Sequence, residues 1–317
     1  MTSTPELQQY YASWESRIGY RFLLGGTRHF GYYAKSSSRP WPVGSALVKM
    51  EGQLFEALQC PRGSRVLDAG CGVGHVAMYM AKRGQYKVDC IDVVPRHVDW
   101  AKKNVRDAKM EDVIRVEKGD YHRLEGYKDG SFDGIYTMET LVHSTDPTNA
   151  LKGFYRILKP GGRIALHEYH FHSMNTAPTD VKESAEKIIR HAAMPALARF
   201  TMADVLRRHL QKVGFQDVCI RDISSHIMPM LRLFYYLARI PYLIFKRRGM
   251  EHHFINTFVA VKCWQGREFW SYVQVTGRKA TESDFDQGRT SSALVMVTGR
   301  DKDSAEESKH RVVKRRR

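Results

Sequence analysis

The run from Val66 to Ala77, VLDAGCGVGHVA, sets a carboxylate, Asp68, just ahead of three alternating glycines, Gly70, Gly72 and Gly74. Apolar residues lead into it, and a periodic apolar segment follows. That is the pattern of a buried strand, a tight turn only glycine can make, and a helix whose free N–H groups face a ligand. Such a turn holds a nucleotide cofactor. Gly72, Gly74 and Ala77 also satisfy the GxGxxA spacing of a dinucleotide site, in which a diphosphate sits on the helix terminus. Asp68 opposes that reading, because a carboxylate close to two phosphate charges in a partly dry cleft costs several kcal/mol. S-adenosylmethionine carries an ammonium and a sulfonium but no phosphate, so the same carboxylate favours it. A second group of residues has acid–base potential. Glu139 and His143, in METLVHSTDP, stand four positions apart, a separation that on a helix puts both side chains on one face. Glu168 and Tyr169 follow in HEYHF.

With this glycine motif the chain resembles the class I S-adenosylmethionine-dependent methyltransferases. The resemblance implies an acidic residue at the end of the second strand, on the ribose hydroxyls, and Asp92 follows the apolar stretch YKVDCI. It implies another after the third strand, near the adenine, which Asp120 in VEKGDY matches. The cofactor-binding set expected on this basis is Asp68, Gly70, Cys71, Gly72, Gly74, Asp92, Val93, Gly119, Asp120, Tyr121 and Met138. Cys71, between two glycines, reads as a small side chain that fits rather than as a nucleophile.

Within that class the chain resembles the sterol C-methyltransferases and related natural-product C-methyltransferases. They have an acidic residue and a histidine at the places of Glu139 and His143, and an aromatic and acidic signature matched by Glu168 and Tyr169. Their aromatic leader, which walls the substrate site, is matched in character by Tyr20, His29, Phe30 and Tyr32. The resemblance implies S-adenosylmethionine-dependent C-methylation of an alkene in a lipophilic sterol, terpenoid or other secondary metabolite. The alkene attacks the methyl carbon, aromatic faces and carboxylates stabilise the resulting cation, and a base removes a proton. His143, held by Glu139, is the first candidate for that base, and Glu168 competes with it. O- or N-methylation of a small natural product is the alternative, methylation of nucleic acid comes third, and a non-catalytic scaffold of the same fold is a further reading.

These residues require an α/β frame: a seven-stranded Rossmann-like class I methyltransferase sheet. VIRVEKGD from Val113 reads as strand three, SFDGIYTME from Ser131 as strand four, and LKPGGRIALHEYHF as a Pro-Gly-Gly turn and strand five. Helices between apolar strands imply a mostly parallel sheet covered on both faces, with ligands outside the carboxyl ends of its strands. A helical leader spans roughly Gln8 to Leu24, and Gly25 and Gly26 end it. A helical lid follows strand five, with helices near Val181–Ala192 and from Thr201 to Gly214, and Met194, Leu197 and Phe200 turned inward. FQDVCIRDIS is strand six. An apolar helical insertion and a helix within HHFINTFVAVKCWQGREFW come next, and SYVQVTGRKA is a final strand expected antiparallel between its neighbours by analogy with the fold. The expected domains are a leader over 1–45, a cofactor-binding core over 46–171, a lid over 172–214, core completion over 215–279 and a flexible basic tail over 280–317.

The 317 residues, 43% of them hydrophobic, suffice for one large core with an appended lobe. Five cysteines without metal-ligand spacing suggest reduced thiols and no metal. With no secretory signal pattern, a cytoplasmic protein is expected. The net charge of +16 sits partly in the RRGM turn and the terminal VVKRRR run, and no nucleic-acid partner is expected. Met228 to Phe245 is strongly apolar, carries Arg232, Arg239, Pro229 and Pro241, and ends at Lys246, Arg247 and Arg248. It is too short and interrupted for a transmembrane helix. It suits three roles: a peripheral membrane contact, a buried substrate lobe, or a homodimer contact. Each fits a lipophilic small-molecule substrate.

Overall fold

A computed structural model of the chain describes residues 5–13, 15, 23–35, 37, 39–199, 203–250 and 253–284. Contacts divide the chain into Met1–Lys279 and Ala280–Arg317. In the first unit the order is α1 (Pro5–Ala12), α2 (Val43–Leu58), β1 (Arg65–Ala69), α3 (His75–Gly84), β2 (Lys87–Asp92), α4 (Pro95–Asp107), β3 (Ile114–Lys118) and β4 (Phe132–Met138). There follow α5 (Pro147–Ile157), β5 (Leu158–Phe171), α6 (Thr179–His191), α7 (Ala203–Val213), β6 (Phe215–Asp222), α8 (Ser224–Arg247), α9 (Ile255–Gln265) and β7 (Trp270–Lys279). Two short 3-10 helices cover Leu141–His143 and Pro195–Ala198.

The strands form one seven-stranded sheet in the order β3-β2-β1-β4-β5-β7-β6. β1 to β5 run parallel, and β7 lies antiparallel between β5 and β6, as the fold analogy implies. Alternation along β1 explains the two-sided covering: Leu67 joins Leu151, Phe154 and Leu210 on one face, and Val66 joins Leu54, Met80 and Val105 on the other. Helical insertions follow β5 and β6, and an N-terminal helix precedes the sheet.

Local departures have physical causes. α5 ends at Ile157, and strand pairing resumes at once: Leu158 sits opposite Phe132 before a register shift, so the Pro-Gly-Gly segment lies inside β5. Pro229 and Pro241 do not interrupt α8, which runs 24 residues. The leader helix is described as α1 only to Ala12. Tyr20, Phe200 and the tail beyond Asp284 lie outside the described residues.

Candidate active site

The cofactor corner is built where β1 stops. Gly70, Gly72 and Gly74 all take positive φ values, 101°, 54° and 84°, and Gly74 caps the start of α3. At Gly70 the need for glycine is steric as well, since a Cβ there would lie 1.9 Å from Thr140 Cγ2. The N–H groups of Gly70 and Cys71 donate to Ile91 O at 2.8 and 3.0 Å, tying the corner to the end of β2. Asp92 then accepts from Gly72 N at 2.9 Å and from Val94 N at 2.8 Å, and His97 Nδ1 lies 3.4 Å away.

Eight of the eleven expected cofactor residues line one cleft of about 80 Å³: Gly70, Gly72, Asp92, Val93, Gly119, Asp120, Tyr121 and Met138. Asp68, Cys71 and Gly74 lie behind it. Cys71 is buried, and its thiol pKa is raised well above the ordinary range by its contact with Cys90 and by burial. Asp68 is buried, with Oδ2 lacking a hydrogen-bond partner among the described residues. Burial pushes its carboxyl up to about 8, the nearby Tyr136 hydroxyl acts in the opposite direction, and the Asp92 charge adds to the rise. Asp120 accepts from His122 N and faces His122 Nδ1 through Oδ1, while its buried Oδ2 has no hydrogen-bond partner among the described residues. Burial opposes its ionisation, yet the contacts with His122 outweigh that and hold it below the ordinary carboxylate range. Two unused carboxylate oxygens and an open space beside Gly72 fit a cofactor with an ammonium at one end and an aromatic amine at the other. Tyr11 of the aromatic leader also lines the cleft, and walls the sequence did not single out are Leu7 of α1, Arg28, His97, Thr140 and Thr145.

A second, larger cavity of about 390 Å³ adjoins the first, and its walls are mainly apolar: Leu24, Phe30, Met194, Leu197, Phe234 and Trp270 contribute. It suits a small lipophilic molecule. Arg28 and Glu139 line both the cleft and the cavity, so a cation and a carboxyl group stand at the junction. Of the expected substrate residues, His29, Phe30 and Tyr169 line the cavity. Tyr32 does not: its ring stacks on His226 at 4.0 Å, and its hydroxyl meets His226 Nε2 at 3.1 Å.

Glu139 and His143 do not form the expected pair. Glu139 takes φ 57° and is followed by a 3-10 helix rather than an α-turn, so the four-residue spacing does not align the two side chains. Glu139 accepts from Phe30 N at 2.9 Å and the Tyr272 hydroxyl at 2.8 Å, and also from the Tyr169 hydroxyl. Burial pushes its carboxyl up to about 7, against the charge of His29 and the bonds from Phe30 N and the Tyr272 hydroxyl. His143 instead contacts Ala193 O through Nδ1 at 2.6 Å and the Tyr11 hydroxyl through Nε2 at 3.0 Å. It lines the cleft and not the cavity, and burial lowers its pKa.

Glu168 is fully buried and lines neither space. Its carboxyl accepts from Thr137 Oγ1 at 2.8 Å, Thr140 N at 3.1 Å, Leu141 N at 2.8 Å and Val142 N at 3.1 Å. Burial pushes it up to about 7 against these four bonds, which favour the carboxylate. Glu168 thus holds the loop after β4 in shape, where a base acting on substrate was expected.

Residues 67–166 match the family described as a methyltransferase domain. Over 279 residues the chain is 40% identical to the S-adenosyl-L-methionine-dependent Diels-Alderase iccD of Talaromyces variabilis, a match covering 86% of this chain and 94% of that one. The chain belongs to the family of these Diels-Alderases. It is also 40% identical over 223 residues to iliD of Neonectria sp. (strain DH2), likewise an S-adenosyl-L-methionine-dependent Diels-Alderase, covering 68% of this chain and 84% of that one. The crystal structure of the [4+2]-cyclase SpnF shares the fold with a TM-score of 0.69 at 22% identity, covering 89% of this chain and 98% of that chain. S-adenosyl-L-methionine is the cofactor.

Kinship with the Diels-Alderases corrects the assignment to the sterol and natural-product C-methyltransferases, and with it the methyl transfer, the carbocation and the base assigned to His143 or Glu168. The cause of the error is physical. The glycine corner, Asp92 and Asp120 speak to a cofactor and not to the reaction it serves, and one fold can carry different chemistries.

Proposed function

We propose that the protein closes a ring in a lipophilic polyene by an intramolecular [4+2] cycloaddition, with S-adenosyl-L-methionine bound and not consumed. In that reaction a diene and a dienophile of one molecule form two carbon–carbon σ bonds while three π bonds become one, and no atom is gained or lost. A methyl donor therefore has no stoichiometric part in it. The observation that carries the reading is the 40% identity to a named Diels-Alderase over nearly its whole length.

The cavity supports the same reading. An open polyene must surrender the freedom of several single bonds before its ends meet, and enforced proximity of this kind removes much of a barrier. Phe30, Phe234, Trp270 and Tyr169 supply stiff aromatic walls for that purpose. Arg28 is the cationic donor at the junction, placed to polarise a carbonyl conjugated with the dienophile. Glu139 fixes the Tyr169 and Tyr272 hydroxyls, which shapes the adjoining wall. Asp68, Asp92 and Asp120 hold the cofactor, which supplies a fixed positive charge beside the cavity when bound.

The test uses purified protein, methyl-labelled S-adenosyl-L-methionine and a linear polyene bearing a conjugated diene and an α,β-unsaturated carbonyl. Chromatography with mass spectrometry should show an isomer of unchanged mass and no label in it. A product heavier by one methylene, with S-adenosylhomocysteine released, would refute the proposal.

A further inference from the structure

The outer face of α8 lacks a partner among the described residues, and its chemistry names one. Tyr236, Leu237, Ile240, Leu243 and Ile244 are exposed by 53, 51, 62, 56 and 47%. Their spacing of three and four residues puts them in one stripe, while Leu231, Ala238 and Tyr242 bury the opposite side of the helix. Arg232, Arg239 and Lys246 recur every seven residues along one edge of the stripe, Arg232 half-buried with a contact of its own and the other two exposed; Arg247 and Arg248 close its end. From Ser224 to Met250 the sequence holds these five basic residues and no acidic one. The stripe also meets the larger cavity: Leu237 lines it while half exposed, as does Leu23 at 45% exposure.

We infer that this face of α8 lies in the plane of an anionic lipid surface, with the mouth of the larger cavity turned toward the bilayer. An exposed apolar row edged by arginine and lysine suits the headgroup boundary, where apolar side chains enter the acyl region and the cations meet lipid phosphates. No helix among the described residues is long and apolar enough to cross a membrane, so the contact is in-plane. A second copy of the chain is the poorer occupant. A two-fold contact sets a patch against itself, which would bring Arg239, Lys246 and Arg247 of each copy against like charges. The inference is independent of the reaction assigned to the cavity.

The experiment is co-sedimentation of the full chain with vesicles of phosphatidylcholine alone and of phosphatidylcholine mixed with phosphatidylserine. The wild type should bind the mixed vesicles at least tenfold more tightly, and less so as salt rises. The double variant Ile240→Glu, Leu243→Glu changes exposed positions that line neither space, so circular dichroism and cofactor binding should match the wild type. Its vesicle binding should fall at least tenfold. Equal binding by the variant would place the contact elsewhere, such as the basic carboxyl end, and overturn the inference. So would failure of the wild type to bind either vesicle, or light scattering that shows a dimer abolished by the variant.

Discussion

Replacing Glu168 by glutamine separates a role in holding the loop from a role in chemistry. Glu168 Oε1 accepts from Thr137 Oγ1, Thr140 N and Leu141 N, and Oε2 accepts from Val142 N. A glutamine of the same shape can place its oxygen where Oε1 stands and keep the first three bonds. Its amide nitrogen then faces Val142 N–H, donor against donor. A buried donor left without an acceptor costs about 1–3 kcal/mol. For a chain this long, at roughly 2 °C per kcal/mol, the melting midpoint should fall by about 2–6 °C. The disturbance reaches the cofactor, because the same loop carries Thr140, whose hydroxyl lies 3.4 Å from Gly70 O, and His143, which lines the cleft. Calorimetry should show weaker S-adenosyl-L-methionine binding in parallel with the lower midpoint. Turnover at saturating cofactor should be largely retained. An unchanged midpoint and cofactor affinity with turnover abolished would refute the reasoning and return Glu168 to the reacting atoms.

Asp68 sets a pH dependence. Its folded pKa, about 8, lies above the ordinary carboxylate value, so in the cofactor-free chain its stabilising contribution is complete below that ordinary value and is lost as pH rises through about 8. An ammonium beside it favours the ionised form, so near pH 7 cofactor binding should release a proton; the heat of binding should vary with the ionisation enthalpy of the buffer in the wild type and much less in Asp68→Asn. Gly70→Ala combines a φ of 101° with a Cβ 1.9 Å from Thr140 Cγ2; cofactor affinity should fall at least tenfold by calorimetry, and an unchanged affinity would contradict the corner geometry. Tyr11→Phe removes the hydroxyl that meets His143 Nε2 at 3.0 Å and loosens α1 over the cleft by about 0.5–1.5 kcal/mol. Stopped-flow displacement should then show faster cofactor release, with the melting midpoint little altered.

The cofactor half was legible because its determinants are local. Three glycines in positive φ, with acidic residues at or after the ends of β2 and β3, are dictated by turns and strand ends that a linear pattern encodes. The antiparallel β7 came from fold analogy, since its own apolar residues alternate alike in either direction. The substrate half was not legible in the same way. Spacing of four implies proximity only on an α-helix, and Glu139 at φ 57° followed by a 3-10 turn breaks that premise. Glu168 reads as an acid near the cofactor; that four donors converge on it appears only once the loop after β4 is folded back over β5. Arg28 carried no signal beyond its place beside His29, because its position between two spaces depends on how the segment after Gly26 crosses the sheet edge.

The proposed cycloaddition and a methyl transfer make different demands on the junction between cleft and cavity. A methyl transfer needs the acceptor to reach the cleft in line with the donor and a base within proton-transfer distance of the acceptor. His143, the expected base, faces the cleft and has both ring nitrogens engaged, with Ala193 O and the Tyr11 hydroxyl. Glu139 stands at the junction with its carboxylate held by Phe30 N, Tyr169 and Tyr272, and Arg28 occupies the same boundary. Arg28 and Glu139 line the boundary from both sides, and burial pushes the Glu139 carboxyl there up to about 7. The proposed cycloaddition requires nothing to cross that boundary. It needs only a polyene folded against aromatic faces beside it, and the larger space, of about 390 Å³, offers Phe30, Tyr169, Phe234 and Trp270 for that purpose.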